Sequence, residues 1–243
     1  MTAPADLSGY DALIFDCDGV IFDSNAAKTS AFGHTARSFG YSDEAVVAFV
    51  AWQSENFGIS RYRVFDELLS GRFGECDGGR PLREAVLAEF SDLARLAYLS
   101  VPITAGLEEF LDRHREIPMY VASGSDQAEL RDVLIERGLA DWFDGVFGSP
   151  TAKTEIVAEI VRERRGRDSR ARHLMIGDAH ADLDAALASS IDFLFISAYS
   201  SVRDSMRDRV RSLGMPEIAS FADADLALGS ATSARKGGLD GLQ

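Results

Sequence analysis

A chain of 243 residues, 46% of them hydrophobic, is long enough for a sizeable core and for one domain with an insertion or two small domains. Its formal net charge of −14, with a pI near 4.7, argues against non-specific nucleic-acid binding and against docking on anionic membranes, because both need a basic face. Cys17 and Cys76 are too few for a disulfide-stapled scaffold, no apolar run is long enough to span a bilayer, and "MTAPADLSGY" carries neither a basic region nor an apolar signal segment; a soluble cytoplasmic protein is expected.

The first element is a strand, "YDALIFD" (10–16), apolar without alternation, as suits a strand buried on both faces. The interval 24–99 has no convincing strand. Phe32, Ala36 and Phe39 fall at helical spacing, "VFDELL" and "LREAVLAEFSDLARLAYL" continue the pattern, and "GECDGGRP" (74–81) breaks it. From there the chain alternates: helix 105–115, strand "PMYVAS" (118–123), helix 126–138 with Gly138 as its stop, strand "GVFG" (145–148), helix 152–165, strand "RHLMIGD" (172–178), helix 180–189 and strand "IDFLFI" (191–196). The prediction is an α/β protein. Residues 1–23 and 100–229 form a doubly wound parallel-sheet core, 24–99 a helical insertion, and 230–243 a small, polar, loose tail.

Ligands of such sheets bind beyond the carboxyl ends of the strands, and right-handed crossovers bring those ends to one edge. Here the ends carry Asp16 and Asp18, then Ser123-Gly124-Ser125, then Lys153, then Asp178 and Asp182. This set suits phosphoryl transfer. Asp16 and Asp18, two apart, point the same way in extended geometry, so one can attack phosphorus while the other protonates the leaving oxygen. Crowded carboxylates facing a phosphate need a hard cation with oxygen ligands, Mg²⁺ above all, and Asp178 is the natural third carboxylate. Ser123 and the amides after it can hold phosphate oxygens, and Lys153 can neutralise the nucleophile and the transferring group.

Asp-x-Asp-Gly-Val, Ser in "VASGS", Lys153 and Gly-Asp-x-x-x-Asp together resemble the haloacid dehalogenase superfamily of phosphohydrolases. The resemblance covers the chain up to about 228. It implies a Rossmann-like core with an all-α cap at 24–99, Asp16 as nucleophile, Asp18 as general acid/base, and Ser123, Gly124 and Lys153 as the phosphate site. It further implies Mg²⁺ bound by Asp16, Asp178 and the Asp18 carbonyl, with Asp182 orienting that site. The acid/base Asp18 disfavours a dehalogenase, since the family's dehalogenases lack it. The expected partner is a small phosphorylated metabolite rather than a nucleic acid or a membrane.

The cap should carry specificity. "FGISRY" (57–62) is similar to a cap segment of β-phosphoglucomutases whose arginine contacts the non-transferred phosphate, which implies a substrate role for Arg61. Arg61 reads equally well as an interhelical ion-pair residue. Asn25 and Lys28, with Thr29, share a helical face near the hinge and are further substrate candidates; Trp52, Gln53 and Asn56 are others. Family enzymes often carry an acid where Asn25 stands. Structural readings compete at every position: Asp18-Gly19 is also a turn pair, Asp178 and Asp182 also suit a helix start, and Cys17 alternates toward the core. Taken together, the set favours a Mg²⁺-dependent phosphatase. A phosphosugar mutase and a non-catalytic phosphate-binding protein are the alternatives.

Overall fold

The computed structural model describes residues 7, 9–56, 58–77, 79–166 and 170–223; the expected tail over 230–243 lies outside them. The elements run β1 (Ala12–Phe15), α1 (Asn25–Ser38), α2 (Asp43–Glu55), α3 (Arg61–Leu69), α4 (Arg83–Ser100), α5 (Leu107–Arg113), β2 (Met119–Asp126) and α6 (Gln127–Glu136). They continue as β3 (Gly145–Ser149), α7 (Lys153–Arg165), β4 (His173–Gly177), α8 (His180–Ala188), β5 (Asp192–Ile196), α9 (Arg203–Ser212) and β6 (Glu217–Ile218). The sheet order is β3-β2-β1-β4-β5-β6 and every pairing is parallel. This is a Rossmann-like core with an all-α cap inserted between its first two strands. Among the described residues, no helix is long and apolar enough to cross a membrane.

The unalternating strands are explained by burial on both faces. In β1, Leu13 and Phe15 pack with Val121, Leu174 and Ile176 in one layer, while Ile14 turns to Met175 and Phe193 in the other. Cys17 lies in the first layer, fully buried, as its alternation predicts.

Three elements differ from the sequence reading. β2 runs on to Asp126, past the predicted end at Ser123, and its register with β3 shifts between Ala122 and Asp126. The glycine and serines there lack strand propensity, so neighbouring pairing rather than composition extends the strand. α9 and the two-residue β6 were not predicted. α9 carries only Met206 and Val210 as buried residues among arginines and aspartates, too sparse a stripe to read, and β6 is too short to show a period.

Inside the cap, α1 to α4 close around their own apolar cluster. Phe32 stacks on Phe90 at 4.2 Å, and Phe65 meets Phe90 edge-on at 5.2 Å. Burying each such ring contributes roughly 1.5–3 kcal/mol. The cap's surface ion pairs, among them Arg37–Asp43, Arg72–Glu67 and Arg83–Asp66, contribute roughly 0–1 kcal/mol each, so ring packing decides the cap's shape. Ser42 and Ser60 start α2 and α3 by accepting from Ala45 N and Arg63 N.

The two connections of the cap run side by side. Asp23 N donates to the Pro102 carbonyl at 3.0 Å, and Thr104 N to that of Ile21 at 3.0 Å. Asp23, for which the sequence suggests no chemistry, therefore contributes a backbone bond to this paired hinge. Entry and exit both lie beside the carboxyl end of β1.

Candidate active site

The strand order reverses direction between β1 and β4, which is where an open α/β sheet forms its crevice. Asp16 follows β1 and Asp178 follows β4, so these carboxylates stand on either side of that point. Lys153 opens α7 behind β3, and its Nζ lies 2.8 Å from Asp16 Oδ1. The same ammonium also pairs with Asp182 Oδ1. The other Asp182 oxygen accepts from the amides of Asp178 (3.0 Å) and Ala179 (2.9 Å), which ties the β4–α8 turn.

Asp16, Asp178 and Asp182 each offer an oxygen within 4.8 Å of the others. Three buried carboxylates thus crowd together, and one ammonium pairs with two of them, Asp16 and Asp182. Burial, then the Asp182 charge, push Asp16 up to about 7 against the pull of Lys153. Burial and the charges of Asp182 and Asp16 raise Asp178 well above the usual carboxylate range. Burial works against the Lys153 ammonium, but the Asp16 and Asp182 charges outweigh it and raise its pKa.

This excess of negative charge fits a divalent cation with oxygen ligands. Asp182 has donors on both oxygens and is suited to orient the others. Asp178 keeps Oδ1 buried and without a partner, as a cation ligand would. Its Oδ2 accepts from Asn25 Nδ2 at 2.6 Å, and its carbonyl from Ser200 Oγ at 2.6 Å.

The Asp18 carboxylate has a separate set of partners. Ser24 Oγ donates to Oδ1 at 2.5 Å, and Lys28 Nζ to Oδ2 at 2.6 Å. Tyr98 OH lies 2.9 and 3.0 Å from the two oxygens, and Ser125 Oγ 3.3 Å from Oδ2. Burial pushes the Asp18 carboxyl up, but Lys28, Ser24 and Tyr98 outweigh it and hold it below its usual range. Tyr98, near the end of α4 and fully buried, is not visible as a site residue in the sequence; "LARLAYL" reads only as a helical apolar stripe.

Ser123 is fully buried, and its Oγ accepts from Ser125 N at 3.1 Å. A Cβ at Gly124 would stand 2.7 Å from the Gly58 carbonyl oxygen of the cap, so the two backbones can meet only because no side chain is there. A cavity of about 20 Å³ lies between cap and core, lined by Asp16, Asp18, Lys28, Gln53, Arg61 and Gly124 among others. That is room for little more than one water.

Each of the three cap candidates is tied to the core through a side-chain nitrogen. Asn25 bonds Asp178, Lys28 bonds Asp18, and Arg61 grips Glu129 of α6 with two nitrogens at 2.7 and 2.9 Å. Of the two readings open for Arg61, the interhelical ion pair is the one formed. Gln53 is buried beside Thr29 Oγ1 at 3.4 Å, whereas Trp52 packs on Phe73 at 5.8 Å. The structure therefore brings Asp16, Asp18, Ser123, Gly124, Lys153, Asp178 and Asp182 to one sheet edge.

Fold and strand-end carboxylates define an α/β enzyme core of the kind that binds ligands beyond its strands. A family model described as haloacid dehalogenase-like hydrolase matches residues 10–189, and the chain belongs to that family. A search of curated proteins finds no match.

Among solved structures, the chain resembles a β-phosphoglucomutase from Clostridium difficile (TM-score 0.67, 19% identity, covering 94% of this chain and 98% of that one). It also resembles CbbY from Rhodobacter sphaeroides in complex with phosphate (TM-score 0.67, 16% identity, covering 88% and 96%). A third likeness is to a haloacid dehalogenase-like family hydrolase from Streptococcus pneumoniae (TM-score 0.56, 16% identity, covering 78% and 85%). At these identities the likeness is one of fold.

Proposed function

We propose that this protein is a Mg²⁺-dependent phosphoric monoester hydrolase acting on a small phosphorylated metabolite, a sugar phosphate or phosphorylated acid. The observation that carries the reading is Lys153 Nζ 2.8 Å from Asp16 Oδ1 at the strand edge. An ammonium there lowers the repulsion between an attacking carboxylate and an anionic phosphoryl group.

In the first step an Asp16 oxygen bonds to phosphorus and the ester oxygen leaves, taking a proton from Asp18. In the second, Asp18 takes a proton from water, the water oxygen bonds to phosphorus, and Asp16 is released with inorganic phosphate. With the cap seated, the contacts around Asp18 favour its ionised form, the form that second step uses; the first step needs the protonated form, which an open cap that withdraws Lys28 would favour. Ser123, the Gly124 amide and Lys153 hold the phosphoryl oxygens. A divalent cation bound by Asp16, Asp178 and the Asp18 carbonyl would supply charge neutralisation between carboxylate and phosphate.

The small cavity supports a cap that opens for substrate and closes over the phosphorylated enzyme. A phosphosugar mutase is the second reading, motivated by Arg61. The Glu129 pairing of that guanidinium weighs toward the hydrolase.

The test is Asp16→Asn, assayed with Mg²⁺ over sugar phosphates, phosphoglycolate and nucleotides. The variant should lose phosphate release by about a thousandfold or more on whichever ester the wild type cleaves. Undiminished release rules the mechanism out.

A further inference from the structure

Asn25 is the first residue of α1 and only 3% exposed. Its Nδ2 donates to Asp178 Oδ2 at 2.6 Å and to the Tyr199 carbonyl at 2.9 Å. Both neighbours are acceptors, so the amide orientation is settled: turned over, its oxygen would face two oxygens. One side chain thus ties three segments together, namely the start of the cap, the turn after β4 and the segment after β5.

The consequence for Asp178 is a division of labour between its oxygens. Oδ2 is taken by the amide, while Oδ1 is buried and bare. The carboxylate is therefore held to present one oxygen, which suits a small hard cation that demands near-ideal octahedral geometry. Asn25 Oδ1 is itself buried and without a partner, an acceptor beside the same carboxylate. The fit is close. A Cβ at Gly19 would stand 2.3 Å from Asp178 Oδ2 and 2.6 Å from Asn25 Nδ2.

We infer that Asn25 is a positioning residue that couples divalent-cation binding at Asp178 to the seating of the cap's first helix on the sheet edge. The inference rests on the proposed cation site. If Asn25 orients the ligand oxygen, seating α1 raises cation affinity, and by linkage the cation stabilises the seated α1 to the same degree. The other polar ties from cap to core among the described residues, including Lys28–Asp18, Tyr98–Asp18, Arg61–Glu129, Tyr62–Asp126 and Arg95–Glu136, do not touch Asp178 and cannot transmit this effect directly.

The experiment uses Mg²⁺ alone with the full chain. Calorimetric titration of wild type and Asn25→Ala should show the variant binding Mg²⁺ about 10- to 100-fold more weakly. A merely structural role would lower the melting temperature without changing that affinity. Hydrogen exchange of wild type with and without Mg²⁺ should show slower exchange over the first turns of α1 when Mg²⁺ is bound, and this measurement stands even if Asn25→Ala fails to fold.

If wild type binds Mg²⁺ but exchange in α1 is unchanged, or the variant keeps wild-type affinity, the coupling is overturned and the cation site stands. If wild type does not bind Mg²⁺, the cation reading fails and the coupling with it.

Discussion

Lys28 Nζ lies 2.6 Å from Asp18 Oδ2, with both side chains less than 10% exposed, so a cation from the first cap helix neutralises an acid of the core. Removing one partner of a buried pair leaves the other charge uncompensated, which costs about 3–5 kcal/mol. Lys28→Met should therefore destabilise the protein by about 3 kcal/mol at pH 7.

The sign of its pH dependence follows from Asp18. In the fold this carboxyl is held below its usual range, so its stabilisation is present above the unfolded pKa and lost as pH falls through the folded value. Without Lys28 that depression weakens. The gap between wild type and variant should stay nearly full from neutrality down to about pH 4 and narrow as the pH falls below it toward about pH 2. Urea melts across that range check it, and a gap independent of pH contradicts the assignment.

Arg61 and Glu129 join α3 to α6 across the cap–core boundary, with side chains 3% and 11% exposed. Arg61→Met alone strands a nearly buried carboxylate and should cost about 3 kcal/mol, whereas Arg61→Met with Glu129→Met should recover most of that loss. Chemical denaturation of the four proteins in a double-mutant cycle measures the coupling. If the double variant loses as much as the two single variants summed, the pair is not the unit described here.

Gly19 has φ of +72°, and the contacts of an added Cβ are with Asp178 and Asn25. Gly214 has φ of +65° and nothing within 4 Å of such a Cβ. Each pays the left-handed penalty of about 1 kcal/mol on replacement by alanine. Gly19→Ala must in addition displace the Asp178 carboxylate. It should lose at least about 1 kcal/mol more than Gly214→Ala and reduce phosphate release more than tenfold, while Gly214→Ala keeps wild-type turnover. Paired melts and steady-state assays decide; equal behaviour would remove the contact from the account.

Much of the site was legible in the sequence because its parts are local. Asp16 and Asp18 sit where an apolar strand stops, Lys153 begins a periodic helix and Asp178 closes another apolar run, so strand period and chain order place them on one edge. What was not legible is what each charge pairs with. Arg61 has equal credentials as ligand and as ion-pair residue until α3 is seen against α6. Tyr98 carries no signal at all in the apolar stripe of α4, and no period predicts that its hydroxyl reaches Asp18.

The sequence by itself determined the alternation of strands and helices, the helical insertion and the order of chemical groups along the sheet edge, since hydrophobic period and motif spacing are properties of neighbouring residues. The tertiary structure alone decided that Asn25 reaches Asp178 across 153 positions, Tyr98 reaches Asp18 across 80, and Arg61 reaches Glu129 across 68. Those pairings depend on how the cap is seated on the core, and that is settled by packing between surfaces whose residues are not neighbours in the chain.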